Sequence, residues 1–221
     1  MEPFTTLTAV AAPLDIAKID TGMIVPGRFQ RIRRRPPEIT YADVFLHDLR
    51  FDEQDRPRAD FVLNQPAYRG ARILVTGPDF GCGSSRESAA YAVLDYGVRA
   101  LVGASFGDVF TGNCMQSGIV PVVLPPDAVE DLLRQLRRAP GACVTVDLAA
   151  QSVTAPDGAR FGFEIDATRK ERLLKGLDDV GVTLEHLAEI EAFEAASAAR
   201  FPWRVASAMA SPPRGRGGTA R

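Results

Sequence analysis

Eight consecutive residues, Phe80-Gly81-Cys82-Gly83-Ser84-Ser85-Arg86-Glu87, concentrate more reactive and ligand-binding groups than any other stretch of this 221-residue chain. Two glycines let a backbone turn tightly and approach a ligand with no Cβ in the way. A helix following such a turn presents free N–H groups and the positive end of its dipole, which suits a carboxylate or a phosphate. Two hydroxyls add donors, and a guanidinium can grip a carboxylate through paired hydrogen bonds. An ordinary glycine turn with a serine cap explains one Gly and one Ser. It does not explain a second Gly, a second Ser and an Arg together, so the expectation is an anion-binding turn.

Other chemistries fit this turn poorly. No Lys follows the glycines, as a P-loop would need, and the third glycine of a dinucleotide fingerprint is absent. Cys82 near a helix N-terminus could act as a nucleophile, but His47 and His186 are the chain's only histidines and neither has a suggestive context. A small buried thiol is the preferred reading. No His, Cys and carboxylate set has zinc or iron–sulfur spacing, so no metal is expected in this chain. A second segment, Asp20-Thr21-Gly22-Met23-Ile24-Val25-Pro26-Gly27-Arg28-Phe29-Gln30-Arg31, brackets a short apolar strand with polar residues and glycines. With Arg33, Arg34 and Arg35 it places five arginines between positions 28 and 35. A nucleic-acid groove would show more Lys and interleaved aromatics. These arginines read as a local anion site, a partner-facing patch or a solvated loop.

Several elements must position these groups. Ile73-Leu74-Val75, ended by Gly77-Pro78, reads as a buried strand. Ser84 to Tyr96 reads as a helix, with Ser84 or Ser85 as N-cap, Glu87 in the first turn, a stripe of Ala89, Ala92, Val93 and Tyr96, and Gly97 as the stop. Ala100-Leu101-Val102 and Ile119 to Leu124 follow as apolar runs, giving a parallel βαβ arrangement, and Pro121 places the last near an edge or a bulge. Asp127 to Arg138 is an amphipathic helix. Cys143 to Leu148 and Phe161 to Ile165 alternate around Pro156-Asp157-Gly158, the pattern of a β-hairpin. Thr168 to Leu174 and Thr183 to about Ala198 read as helices, the latter with Thr183 as N-cap. The fold class is α/β with a helical C-terminal extension.

Composition sets the outer bounds. Hydrophobic residues make up 46% and charged residues 24%, and 26 basic against 28 acidic side chains leave a net charge of −2. The chain as a whole is no polycation for nucleic acid. No apolar run approaches the roughly 18–20 residues that span a bilayer, and MEPFTTLTAVAAPLD lacks the features of a signal peptide. Three cysteines without a CxxC pair make no disulfide scaffold. A cytoplasmic protein is expected. Residues 206–221 hold three arginines and no acid and read as a disordered tail.

FGCGSSRE, followed by DYGVRALVGASFGDVFTGNCMQSGIVPV, strongly resembles the small subunit of 3-isopropylmalate dehydratase, in the aconitase superfamily. IDTGMIVPGRF is similar to that family's DTDxIIPxxF segment, FDEQDRPRADFVLNQPAYRGARILV to its following strand-forming stretch, and GLDDVGVTLEHLAEIEAFEA to its closing helix. The resemblance runs from about Asp15 to about Arg204. It implies an aconitase-like swivelling β/β/α domain over residues 1–205. It further implies a hydro-lyase of leucine biosynthesis, working as a heterodimer with a large subunit that carries the [4Fe–4S] cluster. Within that resemblance Ser84 would be the base that takes a proton α to a carboxylate. Ser85 and Arg86 would hold the carboxylate, Thr21 would lie in the substrate site, and Arg31 would stand where the family varies the residue meeting the substrate's distal group. Two departures stand out: Gly22 replaces the second acid of DTD, and Ser88 replaces the His that usually follows SRE. They also fit a paralogue acting on another hydroxy di- or tricarboxylate, or a non-catalytic carboxylate-binding module.

Overall fold

In the computed structural model residues 1–83 and 86–204 are described. The chain divides into two compact units, Met1–Asp179 and Val180–Arg221. The first is built on a seven-stranded mixed sheet in the order β4-β3-β2-β1-β5-β6-β7. Its strands are β1 (Thr6–Leu14), β2 (Ile73–Thr76), β3 (Ala100–Gly103), β4 (Val120–Val123), β5 (Cys143–Asp147), β6 (Ser152–Thr154) and β7 (Arg160–Gly162). β1 changes partner halfway along: Ala11 to Leu14 run parallel to β2, whereas Thr6 to Val10 run antiparallel to β5.

Helices cover both faces of the parallel half, which is why its strands read as unbroken apolar runs. Leu74 and Leu101 point into a core shared with α1 (Thr21–Ile24), α2 (His47–Arg50), α3 (Glu87–Asp95) and α4 (Asp108–Gln116). Ile73, Val75, Ala100 and Val102 point the other way, onto Val129, Leu132, Leu133 and Leu136 of α5 (Pro126–Arg138) and Leu173 of α6 (Ala167–Lys175). The period-two alternation of a strand assigns each residue to its layer. The expected parallel β2-α3-β3 unit is present, and β4 with Pro121 is an edge strand.

Four expectations need correction. Met23 to Val25 do not form a strand: Thr21–Ile24 is one turn of helix, because the Asp20 carboxylate accepts from the N–H groups of Gly22 and Met23 (2.6 and 2.8 Å) and makes the helical turn locally favourable. α3 starts later than Ser84, and its N-cap position is Arg86. Arg86 is extended, its carbonyl takes the first helical bond from Ala89 N, and the helix begins at Glu87. The expected hairpin is a three-stranded meander, since β5 pairs with β6 and the Pro156-Asp157-Gly158 turn joins β6 to β7. Thr183 is no N-cap but lies inside α7 (Asp179–Leu184), and α8 (Leu187–Arg200) starts after a break. Residues 206–221 lie outside the described residues.

Candidate active site

The carboxyl ends of β1, β2 and β3 lie side by side, and the chains leaving them stay hydrogen-bonded. Gly81 N donates to Ile19 O (2.7 Å), Thr21 N to Cys82 O (3.1 Å), and Gly107 N to Phe80 O (3.0 Å). The turn Phe80–Cys82 is therefore held between the segment leaving β1 and the segment leaving β3, in the crevice beyond the strand ends where open α/β sheets place their ligands. Gly81 has φ +76°, and a Cβ there would fall within the ring of buried Phe110. Only glycine satisfies both constraints. Asp79 fixes the entry to the turn: its N–H donates to Ser105 Oγ (2.9 Å), and Ser105 Oγ donates back to its carboxylate (2.7 Å).

Arg86 stands at the N-terminus of α3, and its own side chain does not cap the helix. The Arg86 guanidinium lies over Gly22. A Cβ at Gly22 would be 3.2 Å from Arg86 Nη1 and 3.0 Å from Asp20 Oδ1. Arg86 Nη1 donates to Val25 O (3.5 Å). Gln30 reaches the same carbonyl through Nε2 (3.4 Å), and its Oε1 accepts from Ser88 Oγ (3.1 Å). The two positions that depart from the family pattern thus have defined neighbours: Gly22 leaves backbone beneath the guanidinium, and Ser88 is joined to Gln30.

Of the five residues assigned from sequence, Thr21 and Arg86 meet at this turn, and Thr21 is buried. Ser84 and Ser85 lie outside the described residues. Arg31 stands exposed on the loop beyond Gln30 and has no ion pair among the described residues. The five arginines of positions 28–35 separate into two kinds. Arg28 pairs with Asp48, which raises the arginine's pKa and lowers the carboxylate's. Arg34 pairs with Asp95, and that hydrogen bonding raises its pKa. His47 packs between Phe29 and Phe51 (ring centroids 4.9 and 4.8 Å) rather than serving Cys82. Cys82 is half-buried, Cys143 exposed, and Cys114 wholly buried inside α4, where desolvation pushes its thiol pKa up. Among the described residues no three His, Cys, Asp or Glu are grouped so that they could hold a metal ion.

Sequence reasoning missed Asp79 with Ser105, the Gln30 amide and Asp95. Asp79 sat in plain view between Pro78 and Phe80, but its partner is 26 positions away. The Asp20 cap did have a local signal, an Asp opening a short turn.

Family models match in three consecutive stretches. The aconitase C-terminal domain matches residues 1–127, LeuD_N matches 130–167, and the C-terminal domain of the 3-isopropylmalate dehydratase small subunit matches 179–206. The 3-isopropylmalate dehydratase small subunit of Dinoroseobacter shibae is 48% identical over 204 residues, covering 92% of this chain and 100% of that protein. The chain belongs to the family of 3-isopropylmalate dehydratase small subunits. The corresponding protein of Phenylobacterium zucineum is also 48% identical, over 92% of this chain and 98% of its own, and that of Agrobacterium fabrum is 45% identical. The crystal structure of 3-isopropylmalate dehydratase from Methanocaldococcus jannaschii superposes with a TM-score of 0.60 over 86% of this chain and 99% of its own. At 22% identity that likeness shows the fold alone. The swivelling α/β domain is therefore the fold of this dehydratase small subunit, and no described helix is long and apolar enough to cross a membrane.

Proposed function

We propose that this chain is the small subunit of a hydro-lyase that interconverts 2-isopropylmalate and 3-isopropylmalate by removing and re-adding water, in leucine biosynthesis and in the cytoplasm. One observation carries the site assignment: Arg86 stands at the N-terminus of α3 with its guanidinium over Gly22, next to the Thr21 N–Cys82 O hydrogen bond. Guanidinium and helix end both favour an anion. Arg86 and Ser85 would hold the substrate carboxylate. Ser84 would take the proton from the carbon next to it, with Arg86 and the helix end favouring the alkoxide form and a closed site keeping water away. Thr21, buried against the turn, would line the same site, and Arg31 would face the substrate's distal end.

The proposal places the [4Fe–4S] cluster, and the chemistry at the departing hydroxyl, on a large partner subunit; the naming of the relatives as small subunits supports such a partner. Nucleic acid is not among the proposed partners. Two of the five loop arginines are committed to ion pairs, which thins the positive face a phosphate backbone would need.

The test is anaerobic assembly with a cluster-bearing large subunit, followed by steady-state kinetics on 2-isopropylmalate. Ser84→Ala should lower kcat by about a thousandfold or more. Unchanged turnover in that variant would remove Ser84 from the mechanism.

A further inference from the structure

We propose that Asp95, Tyr91 and Arg34 are positioning residues that clamp the arginine-bearing loop along α3, and so fix where Arg31 stands relative to Arg86. The proposal rests on the substrate roles given above to Arg31 and Arg86.

Asp95 ends α3, and its side chain is only 4% exposed. Its two oxygens accept from Arg34 Nη2 (2.7 Å), Arg34 Nε (2.9 Å) and Tyr41 N (2.8 Å). A single buried carboxylate therefore binds both ends of the segment 34–41. Those bonds are what make a buried carboxylate tolerable. Between its ends the segment closes on itself, with Arg35 N and Ile39 N each donating to the other's carbonyl (2.8 and 2.9 Å). Tyr41 Oη then donates to Ile32 O (3.1 Å), which secures the residue directly after Arg31. On the other side Gln30 is held by Ser88 and by Val25 O. The backbone of Arg31 is thus bracketed while its side chain stays free to meet a ligand.

The clamp also leads to the catalytic turn. Glu87, Tyr91 and Asp95 are spaced four apart and share one face of α3. The Arg34 guanidinium lies 4.5 Å from the Tyr91 ring centroid, and Tyr91 Oη donates to Glu87 Oε1 (2.5 Å), next to Arg86. The loop that carries Arg31 is laid along the helix whose first turn follows Arg86. This register sets the distance between the proposed grips on the two ends of the substrate.

The experiment uses the assembled complex with 2-isopropylmalate. Arg34→Gln, at a side chain 23% exposed, should raise KM about tenfold and leave kcat within about twofold, the pattern of lost uniform binding. Arg34→Lys should recover only part of this, because it keeps the charge but loses the paired hydrogen bonds and the stack. In an Arg31→Gln background, Arg34→Gln should add less than about twofold, since its effect passes through Arg31. Asp95→Asn should repeat the KM effect, and if it does not fold, the Arg34 series decides alone. An unchanged KM in Arg34→Gln, or a full tenfold effect in the Arg31→Gln background, overturns the clamp. A wild-type complex with no turnover overturns instead the reading on which it rests, and the clamp with it.

Discussion

Replacing Gly81 by alanine tests whether the turn is dictated by backbone conformation alone or by packing as well. At φ +76° a non-glycine residue is strained by about 1–2 kcal/mol. The added methyl would overlap the Phe110 ring, with even Phe110 Cβ only 2.8 Å away. Phe110 is 1% exposed and stacked edge-on against Phe80 at 5.5 Å, so it has no free volume to move into. Overpacking of that kind costs about a further 1–3 kcal/mol. Together these give about 2–5 kcal/mol, and at about 2–4 °C per kcal/mol for a chain of this length the melting midpoint should fall by roughly 10 °C. Circular-dichroism melts of Gly81→Ala, Phe110→Leu and the double variant separate the two contributions. A leucine at 110 can change rotamer, so in that background the alanine should carry only its backbone strain. The coupling between the two sites should then be about 1–3 kcal/mol. An equal drop in both backgrounds would show that Phe110 does not enforce the glycine.

Iodoacetamide should label Cys143 first and Cys82 more slowly, and should reach Cys114 only on unfolding; mass spectrometry reads the order, and early labelling of Cys114 would contradict its burial. The raised pKa of folded Cys114 also has a definite sign: its contribution to stability is full below about pH 8.5 and declines above it by up to about 1.4 kcal/mol per pH unit, because the unfolded chain ionises first. Urea titrations of wild type and Cys114→Ala should therefore converge as the pH rises. Arg99→Met should destabilise by about 2–3 kcal/mol in the same assay, since the buried guanidinium donates to Gly118 O and Glu2 O (both 3.0 Å) and its loss leaves those carbonyls unpaired; a change below about 0.5 kcal/mol would mean that water replaces it.

Strands β2, β3 and β4 were legible as apolar runs and α3 and α5 by their periodic stripes, whereas α4, which buries only Phe110 and Cys114, was not. Nor was β1. Its residues TLTAVAAPL mix polar, small and proline positions, a poor strand signature, and its identity comes from pairing with residues far along the chain. β6 is three residues long and offers no period to read. The Phe80 to Glu87 stretch was legible as a candidate because its residue types are unusual together. Its supports were not, because Asp79–Ser105, Gln30–Ser88 and Arg34–Asp95 are long-range pairs of ordinary polar residues. At Asp20 a local hydrogen-bond option turned Met23 and Ile24 from the expected strand into a helical turn.

The change of partner within β1 has a consequence for biosynthesis. Ala11 finds Ile73 early, but Val10 pairs with Cys143. During translation one half of the strand is satisfied while the other presents an open edge until β5 emerges. At about 5–20 residues per second that interval is on the order of ten seconds. An unpaired edge of that kind invites wrong partners. The nascent chain should therefore be most vulnerable to aggregation between the emergence of β2 and that of β5, and a ribosome stalled after β4 and before β5 would display an assembled parallel half beside an unsatisfied strand.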